Sequence, residues 1–220
     1  MRKSAVATAV AFALAGSLVA APVYAQSSGG GGGSSSSPGG PNQTSPIASG
    51  TGRAAVQWAT SLTGGTYNFD TNTSPRKKKP DYNCSTLTAA AYRYATGDKV
   101  RLRPNSQSQW LDTRRIKLVP LSEAQPGDIF FEKTINNRNN PVGHVGLIVN
   151  VNGGDQAIWH ACGSSRCKSS GNDGIGYSSL SSVTMWMTVS DPSKRDTAAE
   201  RKKFLWTSDP AQAYVGRVVA

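Results

Sequence analysis

The spacing of apolar residues changes period near the middle of the chain. From Gly52, the segment GRAAVQWATSLTG sets Ala55, Val56, Ala59 and Leu62 at helical intervals and runs into Gly64-Gly65, which suits a helix C-cap. A second helical pattern runs from Cys84 to about Ala95, with Leu87, Ala90, Ala91 and Tyr94 on one face. Tyr82 or Asn83 lies just before it and Gly97 ends it, so Cys84 falls in the first turn. After the turn Gln125-Pro126-Gly127-Asp128 the pattern becomes strand-like: Ile129-Phe130-Phe131, then Val142 to Val149, apolar on both faces and therefore central in a sheet. Asn152 to Asp155 predicts a hairpin turn into Gln156-Ala157-Ile158-Trp159-His160. SVTMWMTV, residues 182–189, and AYVGRVVA at the end predict two more strands. The expected fold class is α+β, N-terminal helices packed on a central antiparallel sheet.

The ends read differently. Arg2 and Lys3, an alanine-rich apolar run and Val23-Tyr24-Ala25 have the layout of a secretory signal, residues 1–25, with Gln26 first in the mature chain. A retained anchor is the alternative; the weak hydrophobicity of the run and the small-residue cleavage site argue for removal. Residues 26–50, rich in Gly and Ser, have almost no apolar surface to bury and read as a flexible linker. That leaves residues 51–220 as one domain, with no internal repeat and no second linker.

The formal net charge is +11; loss of Arg2 and Lys3 leaves about +9, basic for this size. An exported basic protein is drawn to polyanions, whether cell-wall polymers, anionic lipid surfaces or nucleic acid; nucleic acid is the weakest of these, since no motif for it is present. The densest cluster, Arg76-Lys77-Lys78-Lys79, is flanked by prolines and reads first as a solvated loop.

Three cysteines in an oxidising compartment leave one thiol over. Cys162 and Cys167 lie close together in ACGSSRCKSSG, where a short loop can bring their Cα atoms within about 4.4–6.8 Å, the separation a disulfide needs. The expected bridge is Cys162–Cys167. A metal set of Cys162, Cys167 and His160 would fall short of a closed structural site. Cys84 is then free, at a helix start where unpaired N–H groups and the helix dipole favour a thiolate.

A free thiol there is either packing or a nucleophile, and the histidines decide between them. The chain has two. His144 interrupts an otherwise apolar strand, with Gly143 and Gly146 leaving room near its backbone, and His160 ends the neighbouring strand, so hairpin pairing can bring the imidazoles together. A thiol, a histidine to take its proton and a polar group to fix that histidine's tautomer are the parts of thiol acyl transfer, with first-turn N–H groups available to an oxyanion. On this reading Cys84 is the nucleophile.

These stretches resemble the NlpC/P60 family of cell-wall cysteine peptidases. DYNCSTLTAAAYRY is similar to that family's nucleophile motif, AQPGDIFF and GHVGLIV to its Pro-Gly-Asp turn and His-Val-Gly strand, and IWHA to its third catalytic position. The resemblance implies a papain-like fold and hydrolysis of amide bonds in peptidoglycan stem peptides, typically after D-glutamate, without cofactor or metal. It implies Cys84 as nucleophile, His144 as base and His160 as orienter. Tyr67 matches a tyrosine near the family's active site, a substrate or oxyanion candidate whose other reading is a core aromatic. Ser85 matches a serine lining the cleft, and Asp128 a turn aspartate read as structural. Asn83 stands where the family has aspartate, Thr86 where it has glycine, and the Gly-Gly after the tyrosine is absent. These departures bear on which bond is cut.

The sequence thus predicts a secreted, monomeric cysteine endopeptidase acting at the cell wall. One rival is an N-acetylmuramoyl-L-alanine amidase of the related CHAP type, against which His160 counts. The other is a non-catalytic basic wall-binding protein.

Overall fold

In the computed structural model the apolar spacing from Gly52 onward becomes helix α1, Gly50–Thr60, and the run after Asn83 becomes helix α2, Cys84–Ala95. The structure describes residues 50–62, 66–67, 81–134, 141–152, 154, 156–162 and 174–219. The expected leader, the Gly/Ser-rich segment to residue 49, Gly64-Gly65, the Arg76–Lys79 cluster and Cys167 lie outside them.

Leu87, Ala90 and Ala91 are buried as the helical spacing predicts, but Tyr94 is 41% exposed. It stacks on Trp58 of α1 at 4.5 Å between ring centroids, while Tyr92 turns inward and donates its hydroxyl to the Gly127 carbonyl at 2.6 Å. That bond anchors α2 to the Pro126-Gly127 turn. Gly127 has φ of +99°, and a Cβ on it would come within 2.3 Å of the Gly52 Cα, so α1 and this turn meet backbone to backbone. Asp128 completes the turn as expected, accepting from the Gln125 N–H at 2.8 Å. Burial pushes its carboxyl up, and the Arg217 guanidinium, 2.9 Å away, works against that.

Two short strands, β1 (Thr66–Tyr67) and β2 (Asp81–Tyr82), pair in parallel just before α2. The rest is built on β3 (Ile116–Pro120), β4 (Ile129–Lys133), β5 (Val142–Ile148), β6 (Ile158–Ala161), β7 (Ile175–Ser178), β8 (Trp186–Thr188), β9 (Leu205–Thr207) and β10 (Tyr214–Val218), with α3 (Ser106–Trp110) and α4 (Ala198–Arg201) between. The eight strands form one antiparallel sheet in the order β3-β10-β4-β5-β6-β7, with β8 on β4 and β9 on β8. β5 is central, as its two-sided apolar pattern predicts.

Alternation gives the sheet two apolar faces. Ile129, Phe131, Val145, Leu147 and Trp159 pack with α1 and α2 in one cluster, and Phe130, Ile148, Ile158 and Trp186 form a second. Burial of each of these large side chains contributes roughly 1.5–3 kcal/mol. The strand expected over 182–189 is shorter than its pattern: a 3-10 turn takes Leu180–Ser182, and the strand itself is Trp186–Thr188. α3, α4, β1, β2, β3, β7 and β9 have no counterpart in the sequence reading.

Candidate active site

The nucleophile candidate sits where the first turn of α2 meets β5. Asn83 caps the helix: its Oδ1 accepts from the Thr86 N–H at 2.8 Å, and Thr86 Oγ1 accepts from the Asn83 N–H at 3.0 Å. This is a reciprocal capping box. The two departures from the family motif beside Cys84 are thus one device, since an Asn cap and a Thr three residues on satisfy each other. Replacing Asn83 with alanine is expected to cost about 1 kcal/mol in urea unfolding, and Asn83→Asp, which keeps the acceptor, only a few tenths.

Cys84 is half-buried and carries a free thiol. Burial pushes that thiol above its ordinary pKa, while the backbone N–H groups of Val145, Ser85 and Cys84 itself pull it down. The net direction is upward, opposite to the expectation of a thiolate favoured by the helix start alone, because desolvation outweighs the donors. The Val145 contact ties the sulfur to the residue following His144.

The two histidines come together as hairpin pairing predicts. His144 Nε2 lies 2.6 Å from His160 Nδ1, and His160 Nε2 lies 2.8 Å from Ser178 Oγ on β7. The rings are T-shaped with centroids 4.9 Å apart, and the Phe130 ring lies against both at 5.7 and 5.8 Å. His160 is 1% exposed and His144 half-buried. The line of polar atoms has a useful polarity. With a proton on His144 Nε2 donated to His160 Nδ1, and one on His160 Nε2 donated to Ser178, His144 Nδ1 carries the lone pair that a base needs. The same arrangement serves the imidazolium, so taking up a proton requires no reorientation.

The room expected beside Gly143 and Gly146 is filled by the protein. A Cβ on Gly146 would come within 2.5 Å of Phe130 Cε1 and 2.6 Å of His160 Cβ, and one on Gly143 within 1.3 Å of Thr134 Oγ1. The glycines let the His160 layer and β4 close on β5.

Ser85 is buried, and its hydroxyl donates to the Pro104 carbonyl at 2.6 Å and to Asn83 Oδ1 at 3.1 Å. Its backbone N–H faces the Cys84 sulfur. The backbone of Tyr67 pairs with Tyr82, two residues before Cys84. Cys162 is buried beyond the end of β6. Among the described residues no three His, Cys, Asp or Glu groups gather as metal ligands.

Four contributors escaped the sequence reading. Ser178 ends the histidine line. Glu132 is the cross-strand partner of His144. Gln109, fully buried, donates to the Ser85 carbonyl at 2.8 Å and the Arg103 carbonyl at 2.6 Å and accepts from Thr88 Oγ1 at 3.0 Å. Ser106 donates to the Val142 carbonyl, so α3 pins both the Cys84-bearing helix and the strand of His144.

A helix that sets Cys84 against the central strand of an antiparallel sheet, with paired histidines on adjacent strands, fits a papain-like α+β fold. The chain belongs to the NlpC/P60 family, whose sequence model matches residues 64–186, a span that contains Cys84, His144 and His160. Solved structures similar to it include the NlpC/p60 domain of peptidoglycan hydrolase SagA, at 21% identity and TM-score 0.41 over 59% of this chain and 89% of that one. An NLP/P60-family protein of Staphylococcus aureus, described as similar to lipoprotein, matches at 21% and 0.46 over 70% and 41%. The P60 domain of an antigen from M. avium subspecies paratuberculosis matches at 15% and 0.44 over 77% and 96%. No curated protein matches the chain.

Proposed function

We propose that this protein is a secreted peptidoglycan hydrolase, a cysteine endopeptidase that cuts an amide bond in the stem peptides, after D-glutamate. Family membership supports a cell-wall hydrolase. The observation that carries the finer reading is the 2.6 Å contact from His144 to His160, on a strand whose Val145 N–H is directed at the Cys84 sulfur.

In this reading His144 Nδ1 takes the thiol proton as Cys84 Sγ attacks the carbonyl carbon, and His160 holds the imidazolium that forms. The oxyanion accepts from the first-turn N–H groups of Cys84 and Ser85. Collapse breaks the C–N bond, His144 returns the proton to the leaving amine, and a thioester remains. Water, deprotonated by His144, then releases the acid and the thiol. Tyr67 is the candidate for holding the stem peptide beside this centre. The chain's basic character suits anionic wall polymers.

The same reading covers the ends: residues 1–25 are a removed leader, 26–50 a linker, and 51–220 a monomeric catalytic domain with a Cys162–Cys167 bridge. The test is a digest of purified peptidoglycan with mass analysis of the products. A shortened stem peptide with a new amino terminus is the expected result. Release of whole stems would make the protein an amidase, and wall binding without release would leave only a binding role.

A further inference from the structure

Within the buried strand β4, a carboxyl group stands opposite the histidine. Glu132 is the register partner of His144, and side chains so paired share one face, with Cβ atoms about 4.5–5.5 Å apart. Glu132 is 3% exposed, and β8 closes it from the other side, where Trp186 is its register partner and the Thr184 N–H lies 3.4 Å from Oε1. Phe130, two residues earlier on the same face, touches His144, His160 and Trp186. A carboxylate among such groups loses hydration that an apolar residue at this position would not have to give up, and its field is poorly screened.

Among the described residues, the elements packed against it bring the following charged and titratable groups. From β5 comes His144, and from β6 His160 behind it. The β8 and β9 residues in line, Trp186 and Thr207, carry no charge. Lys133, next along β4, sends its Nζ over the Trp206 ring, 6.0 Å from the centroid.

We propose that Glu132 is a positioning residue that holds protons on the Cys84–His144 pair and thereby sets the pH window in which the pair works. The proposal rests on the reading of Cys84 and His144 as nucleophile and base. A negative charge beside the pair opposes loss of a proton from either member. Both apparent pKa values of the pair are therefore raised, whichever residue each is ascribed to. Removing the charge moves both limbs toward acid.

The experiment follows iodoacetamide alkylation of the Cys84-bearing peptide against pH in the full chain, alongside the pH profile of kcat/KM. Glu132→Gln is expected to move both profiles acidward by about one unit. Glu132→Met, also uncharged and better suited to apolar surroundings, should give the same shift and carries the test if the glutamine variant does not fold. Glu132→Asp, which restores the charge, should return the profiles toward wild type. His144→Ala should remove the neutral-pH reactivity altogether. If the uncharged variants superimpose on wild type while His144→Ala does not, Glu132 has no such role and the active-site reading stands. If His144→Ala also leaves the profile unmoved, both fall.

Discussion

Replacing Cys84 with alanine is expected to lower peptidoglycan hydrolysis by on the order of 10⁴-fold or more, with binding to the wall retained. The argument starts from the thiol. Burial holds its proton more tightly than in a free cysteine, so at neutral pH the thiolate is scarce unless a base removes that proton. The donors directed at the sulfur are neutral backbone N–H groups, which reduce the penalty without cancelling it. Attack therefore depends on the imidazole, and His144→Ala should fall nearly as far as Cys84→Ala. Because the two act as a unit, the double variant should lose little beyond either single one. His160→Ala should be milder, roughly 10²-fold, since it frees the ring of His144 without removing it. Rates of soluble stem-peptide release measure all four. Cleavage surviving in the Cys84 variant would end the catalytic assignment.

How far this site could be read from sequence depends on what kind of signal each residue leaves. His144 and His160 stand out because one interrupts and the other ends an apolar strand pattern, and Cys84 because pairing Cys162 with Cys167 leaves it over at a helix start. Ser178 leaves no such trace, being one serine among several in a polar stretch, and only the pairing of β6 with β7 brings it to His160. Gln109 is hidden for another reason. SQSQW has no apolar spacing to mark it as a helix, yet the amide of Gln109 is buried because its hydrogen-bonding capacity is spent on Ser85, Arg103 and Thr88. Hydropathy cannot see a polar residue whose partners are distant in sequence. Glu132 was visible in principle, as the acidic residue that follows the apolar run of β4. Its meaning required the register with His144.

The largest loss of stability is expected at Arg201, far in sequence from the site but joined to it through α3. Arg201 is 0% exposed. Its guanidinium donates to the Trp110 carbonyl at 2.8 Å and the Ile116 carbonyl at 2.5 Å, with Asp196 Oδ1 at 3.5 Å. Trp110 returns a bond from its indole N–H to the Arg201 carbonyl at 2.9 Å. Burial lowers the pKa of the guanidinium to about 10, the charges of Asp196 and Asp112 opposing the shift, so it stays protonated at neutral pH. Arg201→Ala strands two buried carbonyls and opens a cavity beside a tryptophan, a cost of about 3–5 kcal/mol against a total that is commonly about 5–15. Arg201→Met separates the two causes. It refills most of the volume but supplies no donor, and the carbonyls it strands are backbone and cannot be mutated away. It should therefore recover only the cavity part and remain about 2–3 kcal/mol below wild type. Urea unfolding with unchanged m-values is the measurement, and a methionine variant within about 1 kcal/mol of wild type would refute the hydrogen-bond account. Because Trp110 ends the helix whose Gln109 and Ser106 hold α2 and β5, release of the Cys84-bearing helix should accompany that loss. Faster alkylation of Cys84 under native conditions, together with weaker peptidoglycan cleavage, would report it.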